Sequence, residues 1–171
     1  NLRLLTEKTS HSGFFNIAPD ADGILRNVPL IMAYENHFYP SLALASVIQA
    51  LKPESIGLIR QFDDYLLVFG KKRVPLNSRG CLLVKYRGKG KTYRYVSASD
   101  LLAGRVAMDF IKDKIIFVGT SAAGLKEIRS TSTDPIFPGV EVHATVADNL
   151  LTGDFISRPA SAPGFEFMAA F

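Results

Sequence analysis

The sequence has very little cysteine and no hydrophobic run long enough to cross a membrane. Cys81 is the only cysteine among the 171 residues, so no intrachain disulfide can form. A single thiol says little about the cellular compartment, because many extracytoplasmic proteins lack disulfides. The apolar stretch at residues 163–171 is far shorter than the roughly 20 residues that a membrane-spanning helix needs.

The chain also lacks a strong charge of one sign and a catalytic constellation. The net charge is only +4 and the basic residues are spread along the chain, which argues against a nucleic-acid partner. A basic run at residues 85–94 is typical of a solvated loop, with anionic lipid headgroups as a minority alternative. The three histidines, at positions 11, 37 and 143, are far apart in sequence, and no nucleophile stands at a recognisable spacing from a base.

A hydrophobic content of 47% indicates a globular fold with a real core. The pattern predicts a mixed α/β domain: a central, partly parallel sheet, flanking helices and an antiparallel hairpin portion. Residues 114–118 lack polar alternation, so we expect a strand covered on both faces. Residues 81–86 and 92–96 are expected to pair as the hairpin, with a glycine-containing loop at 87–91.

Helical periodicity appears in two places, and a capping pattern in a third. Residues 41–51 and 140–151 carry apolar residues at helical spacing, and the second of these should pack its wide apolar face against the sheet. The sequence Ser-Ala-Ser-Asp at residues 97–100 has the form of a capping box, which predicts a short helix ending near residue 104.

The sequence Asp-Ala-Asp-Gly at residues 20–23 predicts a tight turn. Its start resembles a calcium loop, but the twelfth position, where a bidentate Glu is needed, is Ile31. We therefore expect no metal here. Asp20 and Asp22 should cap backbone N–H groups around Gly23, and Arg26 lies close enough in sequence to pair with either carboxylate.

The candidate ligand site combines the end of the predicted strand with the start of the last helix. Its expected residues are Gly119, Thr120, Ser121, Glu141 and His143. The small residues would let a partner approach the backbone closely. Each residue also has a structural interpretation: the small residues as a tight turn, the glutamate as a complement to the helix dipole, and the histidine as a buried, hydrogen-bonded group.

Four stretches together resemble the second class of the CHASE family, extracellular sensory domains of bacterial cyclases and histidine kinases. They are residues 16–30 with Asp-Ala-Asp-Gly, 39–44, 114–125 with Lys-Ile-Ile-Phe-Val-Gly-Thr-Ser, and 138–159 with Pro-Gly-Val-Glu-Val-His-Ala. The resemblance implies a non-catalytic extracytoplasmic input domain of a transmembrane receptor, without a cofactor. Its stimulus, a small molecule or an environmental condition, is not specified by the sequence.

The same resemblance sets the expected organisation. Residues 1–160 would form one sensory domain, the C-terminal part of a longer family domain, and residues 161–171 a juxtamembrane stub leading to a transmembrane helix. A homodimer is expected, because a shortened domain would expose a sheet edge. Two other functions stay open: a small α/β hydrolase or transferase using Ser121 or Thr120 with His143, and a module that only holds receptor dimers together.

Overall fold

The computed structural model describes residues 11–120, 127–157 and Met168. Within them the chain forms short strands, α-helices and one 3₁₀ turn at Met108–Phe110. In chain order these elements are β1 (Asn27–Pro29), β2 (Ile31–Tyr34), β3 (His37–Pro40), α1 (Leu42–Leu51), β4 (Ile56–Gln61), β5 (Asp64–Phe69), β6 (Lys72–Leu76), β7 (Cys81–Leu83), α2 (Ala98–Leu102), β8 (Ile128–Arg129), β9 (Phe137–Pro138) and α3 (Gly139–Thr152).

The mixed α/β class is confirmed, but the partly parallel central sheet is wrong. All strand pairs of the described residues are antiparallel: β1 with β7, β2 with β3, β4 with β5 and β6, and β8 with β9. Parallel contact is limited to isolated bridges between Phe14 and Ser41 and between Leu25 and Thr131. Tight turns join β2 to β3, β4 to β5 and β5 to β6, and only antiparallel strands can be joined in this way, whereas β1–β7 and β8–β9 are joined by longer connections.

Residues 114–118 are the clearest departure from the expected sheet, because they form no strand. Ile115 and Phe117 pack against the core. Ile116 and Val118 point the other way and are 52% and 88% exposed. The stretch is therefore covered on one face and not on both. Its continuous apolar run does not indicate a central strand.

The predicted hairpin between residues 81–86 and 92–96 is also wrong. Strand β7 pairs with β1, with Cys81 opposite Pro29 and Leu83 opposite Asn27. Residues 92–96 form no strand. Their backbone groups bond instead to side chains of α3, as described below.

The two long helices, α1 and α3, both contribute to the hydrophobic core. Helix α1 begins at the side chain of Ser41, whose Oγ accepts a hydrogen bond from the Leu44 N–H at 3.3 Å. Helix α3 ends at Gly153, whose φ of 73° is a left-handed conformation that favours glycine. The helices pack against each other and the strands. Their shared core contains Leu25, Val28, Leu30, Leu44, Val47, Leu67, Phe69, Val74, Leu82, Phe137, Val142, Val146 and Leu150.

Candidate functional site

Helix α3 carries polar side chains on faces that are fully buried. They are Glu141, His143, Thr145 and Asn149. A buried polar group is costly unless it is hydrogen-bonded, so each of these side chains raises the question of its partner.

Glu141 is 2% exposed and binds a row of backbone N–H groups. Its Oε2 accepts from the Lys91 N–H at 2.7 Å, and its Oε1 accepts from the N–H groups of Thr92 at 2.8 Å and Tyr93 at 3.3 Å. The phenol of Tyr95 donates to Oε2 at 2.7 Å. The carboxylate thus supplies the acceptors that a neighbouring strand would otherwise provide.

The bond from Tyr95 fixes the protonation state of that phenol. Burial, together with the hydrogen bond to the Glu141 carboxylate, raises the pKa of Tyr95 far above its ordinary value. Tyr95 therefore stays a hydrogen-bond donor throughout the physiological pH range, and it does not serve as a base.

Asn149 lies two turns further along α3 and binds the backbone of Lys85, a few residues before the part of the chain that Glu141 binds. The side chain is fully buried. Its Oδ1 accepts from the Lys85 N–H at 2.9 Å, and its Nδ2 donates to the Lys85 carbonyl at 3.1 Å. One amide side chain thereby satisfies both backbone polar groups of Lys85.

Charged groups reinforce this attachment near the end of α3. The Arg87 guanidinium donates to Asp148 and to Asp154, each at 2.6 Å, and to the Thr152 hydroxyl at 3.1 Å. Lys85 Nζ lies 2.7 Å from Asp154. The Lys85 and Arg87 partners lower the pKa of Asp154, so this carboxylate stays ionised at neutral pH.

Residues 85–95, here called the coupling segment, are thus attached to α3 along the helix. Glu141 holds one end of the segment, and Asn149 and Asp148 hold the other. This arrangement explains why the predicted hairpin does not form. The helix side chains satisfy the backbone groups that a second strand would have satisfied, and alternation along the chain cannot reveal so distant a partner.

The predicted ligand residues Gly119 and Thr120 lie beside the start of α3. A Cβ at Gly119 would stand 2.7 Å from Val140 Cβ, so only glycine fits this contact. The Thr120 hydroxyl donates to Glu127 Oε2 at 2.7 Å, and the Gly139 N–H donates to the Glu127 carbonyl at 2.6 Å. Ser121 lies outside the described residues.

His143 packs near Phe117, whereas Glu141 bonds residues 91–95. The histidine is 8% exposed, and its ring stacks near Phe117 with centroids 6.3 Å apart and planes at 24°. Its Nδ1 is buried without a hydrogen-bond partner among the described residues. Burial lowers the pKa of His143, against a smaller opposing effect of the Glu127 carboxylate. The imidazole is therefore neutral at physiological pH.

The predicted turn brings Asp20, Asp22, Gly23 and Arg26 together. Gly23 has a φ of 82° and donates its N–H to the Asp20 carbonyl at 2.8 Å. Asp22 Oδ1 accepts from the Ile24 N–H at 3.1 Å, and the Arg26 guanidinium lies 2.8 Å from its Oδ2. The backbone bond and then the Arg26 partner lower the pKa of Asp22.

An open cleft of about 400 Å³ lies between the β2–β3 hairpin and residues 12–16. None of the predicted ligand residues lines this cleft. Its wall is mostly aromatic and apolar, with Phe14, Phe15, Met32, Tyr34 and Tyr39.

Sequence reasoning missed the residues that attach the coupling segment, namely Asn149, Arg87, Lys85 and Tyr95. For Asn149 a signal was available. It follows Val142 by seven residues, so it falls on the apolar face of α3, where an amide needs a specific partner. No comparable signal points to Arg87, because a basic residue in a loop is usually solvated.

No three His, Cys, Asp and Glu side chains of the described residues come together in a way that could hold a metal ion. No helix in the described part of the chain has the length and apolar character required for a membrane crossing.

Comparison with known proteins gives one match. Residues 3–169, nearly the whole chain, match the family model of the CHASE2 domain. No curated protein and no solved structure matches the sequence. CHASE2 domains are non-catalytic sensory domains of signalling receptors. The resemblance of the sequence to the second CHASE class is thereby confirmed, and the chain belongs to the CHASE2 domain family.

Proposed function

We propose that this domain is the extracytoplasmic input domain of a bacterial transmembrane receptor whose output is a cyclase or a kinase. The domain itself would perform no chemistry. Residues 1–160 would form the sensory unit, and residues 161–171 would lead to a membrane helix. Membership of a sensory domain family supports this role.

The observation that carries the proposal is the attachment of the coupling segment to α3. Four side chains of this helix, those of Glu141, Asp148, Asn149 and Thr152, bond to residues 85–95. A stimulus that moves the segment therefore has to move the helix or break buried hydrogen bonds. In this proposal residues 161–171 lead from the domain to the membrane helix, and they follow α3 in sequence, so a displacement of α3 would be passed towards the membrane.

The surface where Gly119 and Thr120 meet the start of α3 is the proposed contact for the stimulus, and Ser121, the next residue in sequence, is also a proposed contact. Glu141 and His143 lie in the first turns of α3. Since both are buried, we assign them to transmission rather than to direct contact. To act as a signal, a ligand must bind one arrangement of this surface more tightly than another.

Membrane topology can be tested in the full-length receptor in cells. Replacing Cys81 and every cysteine in the rest of the receptor with Ser, and then Asp63, in the exposed β4–β5 turn, with Cys leaves one accessible thiol. A membrane-impermeant maleimide should label this variant in intact cells. Labelling only after lysis would place the domain in the cytoplasm and overturn the proposal. The Cys81→Ser parent is the unlabelled control.

The transmission role can be tested by the output of the same receptor in membrane vesicles. Gly119→Ala should force the loop away from Val140 and change basal output, and adding Val140→Ala should return the output towards that of the wild type. An unchanged output in a correctly inserted Gly119→Ala receptor would remove this surface from the signalling route.

A further inference from the structure

His143 places an unsatisfied polar atom inside the domain. The residue is 8% exposed, and its Nδ1 is buried without a hydrogen-bond partner among the described residues. The other buried polar side chains of α3, those of Glu141, Thr145 and Asn149, all make hydrogen bonds. Buried polar groups are nearly always hydrogen-bonded, so the exception at His143 needs a reason.

The described contacts suit the neutral imidazole of His143 but not the imidazolium. A neutral ring can leave Nδ1 without a proton, whereas a protonated ring carries an N–H on both nitrogens. That second N–H would have no acceptor among the described residues. The Phe117 ring cannot replace the acceptor, because its centroid is 6.3 Å away and an aromatic face stabilises a cation only within about 6 Å. Protonation of His143 therefore requires its surroundings to rearrange.

The contact of His143 with residues 114–120 is the one that can change with least loss. Phe117, which stacks near the ring, belongs to this stretch, and the stretch forms no strand. Gly119, two residues further on, touches Val140 of α3 through apolar atoms alone. The coupling segment, by contrast, is bound to α3 by buried hydrogen bonds. A disturbance at His143 should therefore separate residues 114–120 from α3 before it releases the coupling segment.

Few charged groups act on His143. Burial lowers the pKa of the ring, and the Glu127 carboxylate opposes this with a smaller effect. On α3 itself, Glu141 is bound by residues 91–95, and residues 114–120 carry one charge, the exposed Lys114. Glu127 is exposed and accepts a hydrogen bond from the Thr120 hydroxyl. Among the described residues, Glu127 is therefore the carboxylate towards which a protonated ring is drawn.

We propose that acid is a stimulus of this domain and that His143 receives the proton. The protonated ring leaves Phe117 and turns towards Glu127, and residues 114–120 then separate from the start of α3. The inference rests on the proposed function, because this is the surface that is assigned there to the stimulus. Since burial holds the pKa of His143 below 6.5, the response falls on the acid side of that value.

Nuclear magnetic resonance of the 171-residue chain tests the proposal without the rest of the receptor. The His143 ring should titrate below pH 6.5, and the nuclear Overhauser contacts between Gly119 and Val140 protons should weaken with the same midpoint. His143→Gln should keep these contacts throughout. His37→Gln, at an exposed position of the β2–β3 hairpin, is the matched control and should lose them as the wild type does. Contacts that persist after His143 is protonated, or a ring that stays neutral until the domain unfolds, would overturn the proposal.

Glu127→Gln tests the role of the neighbouring carboxylate. The amide oxygen can still accept from the Thr120 hydroxyl, but the negative charge that favours the protonated ring is gone. The midpoint of the transition should therefore move to lower pH, which a purely structural role of Glu127 would not produce. Glu54→Gln, at an exposed position before β4, is the matched control and should leave the midpoint in place. An unmoved midpoint in Glu127→Gln would contradict the proposed movement.

The output of the full-length receptor in membrane vesicles separates this inference from the proposed function. With the output side buffered at constant pH, lowering the pH at the domain from about 8 to about 5 should change the output. His143→Gln should abolish the change, and His37→Gln should retain it. A constant output from a chain that shows the resonance transition would count against the proposed function. A chain without that transition would remove the acid response alone.

Discussion

The side-chain amide of Asn149 pairs with both backbone polar groups of Lys85, as a neighbouring strand would. Glu141 does the same for the backbone N–H groups near residue 92. Helix α3 therefore both fills the core with its apolar face and completes the hydrogen bonding of an irregular segment. The helix and residues 85–95 are therefore joined by hydrogen bonds at both ends of the segment.

Asn149→Asp should strongly destabilise the domain. The carboxylate can still accept from the Lys85 N–H, but it loses the donor to the Lys85 carbonyl and places two acceptors in contact in a buried site. We expect a loss of about 3 kcal/mol in the free energy of unfolding, measured in urea. Asp148→Asn, the adjacent control at a partly exposed ion pair, should cost about 0.5 kcal/mol. Similar losses for both variants would contradict a special role for the amide.

Glu141→Gln should also destabilise the domain, because the amide NH₂ would face N–H donors that the carboxylate now satisfies. The expected loss is about 2 to 4 kcal/mol in the free energy of unfolding. Glu127→Gln changes an exposed carboxylate next to the same helix start and should cost less than about 0.5 kcal/mol. If Glu141→Gln were as mild as this control, the coupling segment would not depend on the carboxylate.

Gly119→Ala should cost about 1 to 3 kcal/mol in the free energy of unfolding, since the new methyl group would overlap the side chain of Val140. Val140→Ala removes the obstruction, so the double variant should be more stable than the sum of the two single losses predicts. Chemical denaturation of all four proteins measures this coupling. Strict additivity would mean that the loop and helix do not touch at this point.

His143→Gln should change the pH dependence of stability. Burial lowers the pKa of folded His143 below its ordinary value of 6.5, so the unfolded chain binds more protons as the pH falls through that value. Stability contributed by neutral His143 is therefore complete above the unfolded pKa and is lost towards acid. Glu127 is the charged group that opposes this shift.

The measurement compares urea denaturation between about pH 5 and about pH 8, the range in which histidine titrates. His143→Gln should flatten the fall in stability on the acid side. His37→Gln, at an exposed position of the β2–β3 hairpin, is the matched control and should keep the fall. Equal slopes in the wild type and His143→Gln would show that burial of this ring is not linked to folding.

Local patterns in the sequence were sufficient for the helices. The spacing of Leu44 and Ile48 predicted α1, and the spacing of Val142, Val146 and Leu150 predicted α3; both helices are present. Helical periodicity reports which face is buried, and burial stabilises the helix wherever its partner comes from.

The strand predictions failed where the partner was distant in sequence. Residues 92–96 have the composition of a strand, but their N–H groups bind a carboxylate nearly fifty residues further on. Residues 114–118 have the composition of a buried strand but rest one face on the core and leave Val118 exposed. Composition reports the tendency to be extended, while long-range contacts decide whether a ladder forms.

The site was only partly accessible to sequence reasoning. Gly119 contacts Val140 at the start of α3, and Thr120 bonds Glu127, while ligand binding by these residues stays a prediction. The attachment through Asn149 and Arg87 depends on residues more than sixty positions apart, which no local pattern connects.

The basic residues and proline of β6 have a consequence for how many copies can assemble. A sheet with two open edges could add molecules indefinitely and grow into a fibre. Here Lys72, Arg73 and Pro75 protect the β6 edge, so among the described residues β4 is the one edge of this three-stranded sheet that could pair with another copy. Assembly through this sheet would stop at a pair, a finite stoichiometry.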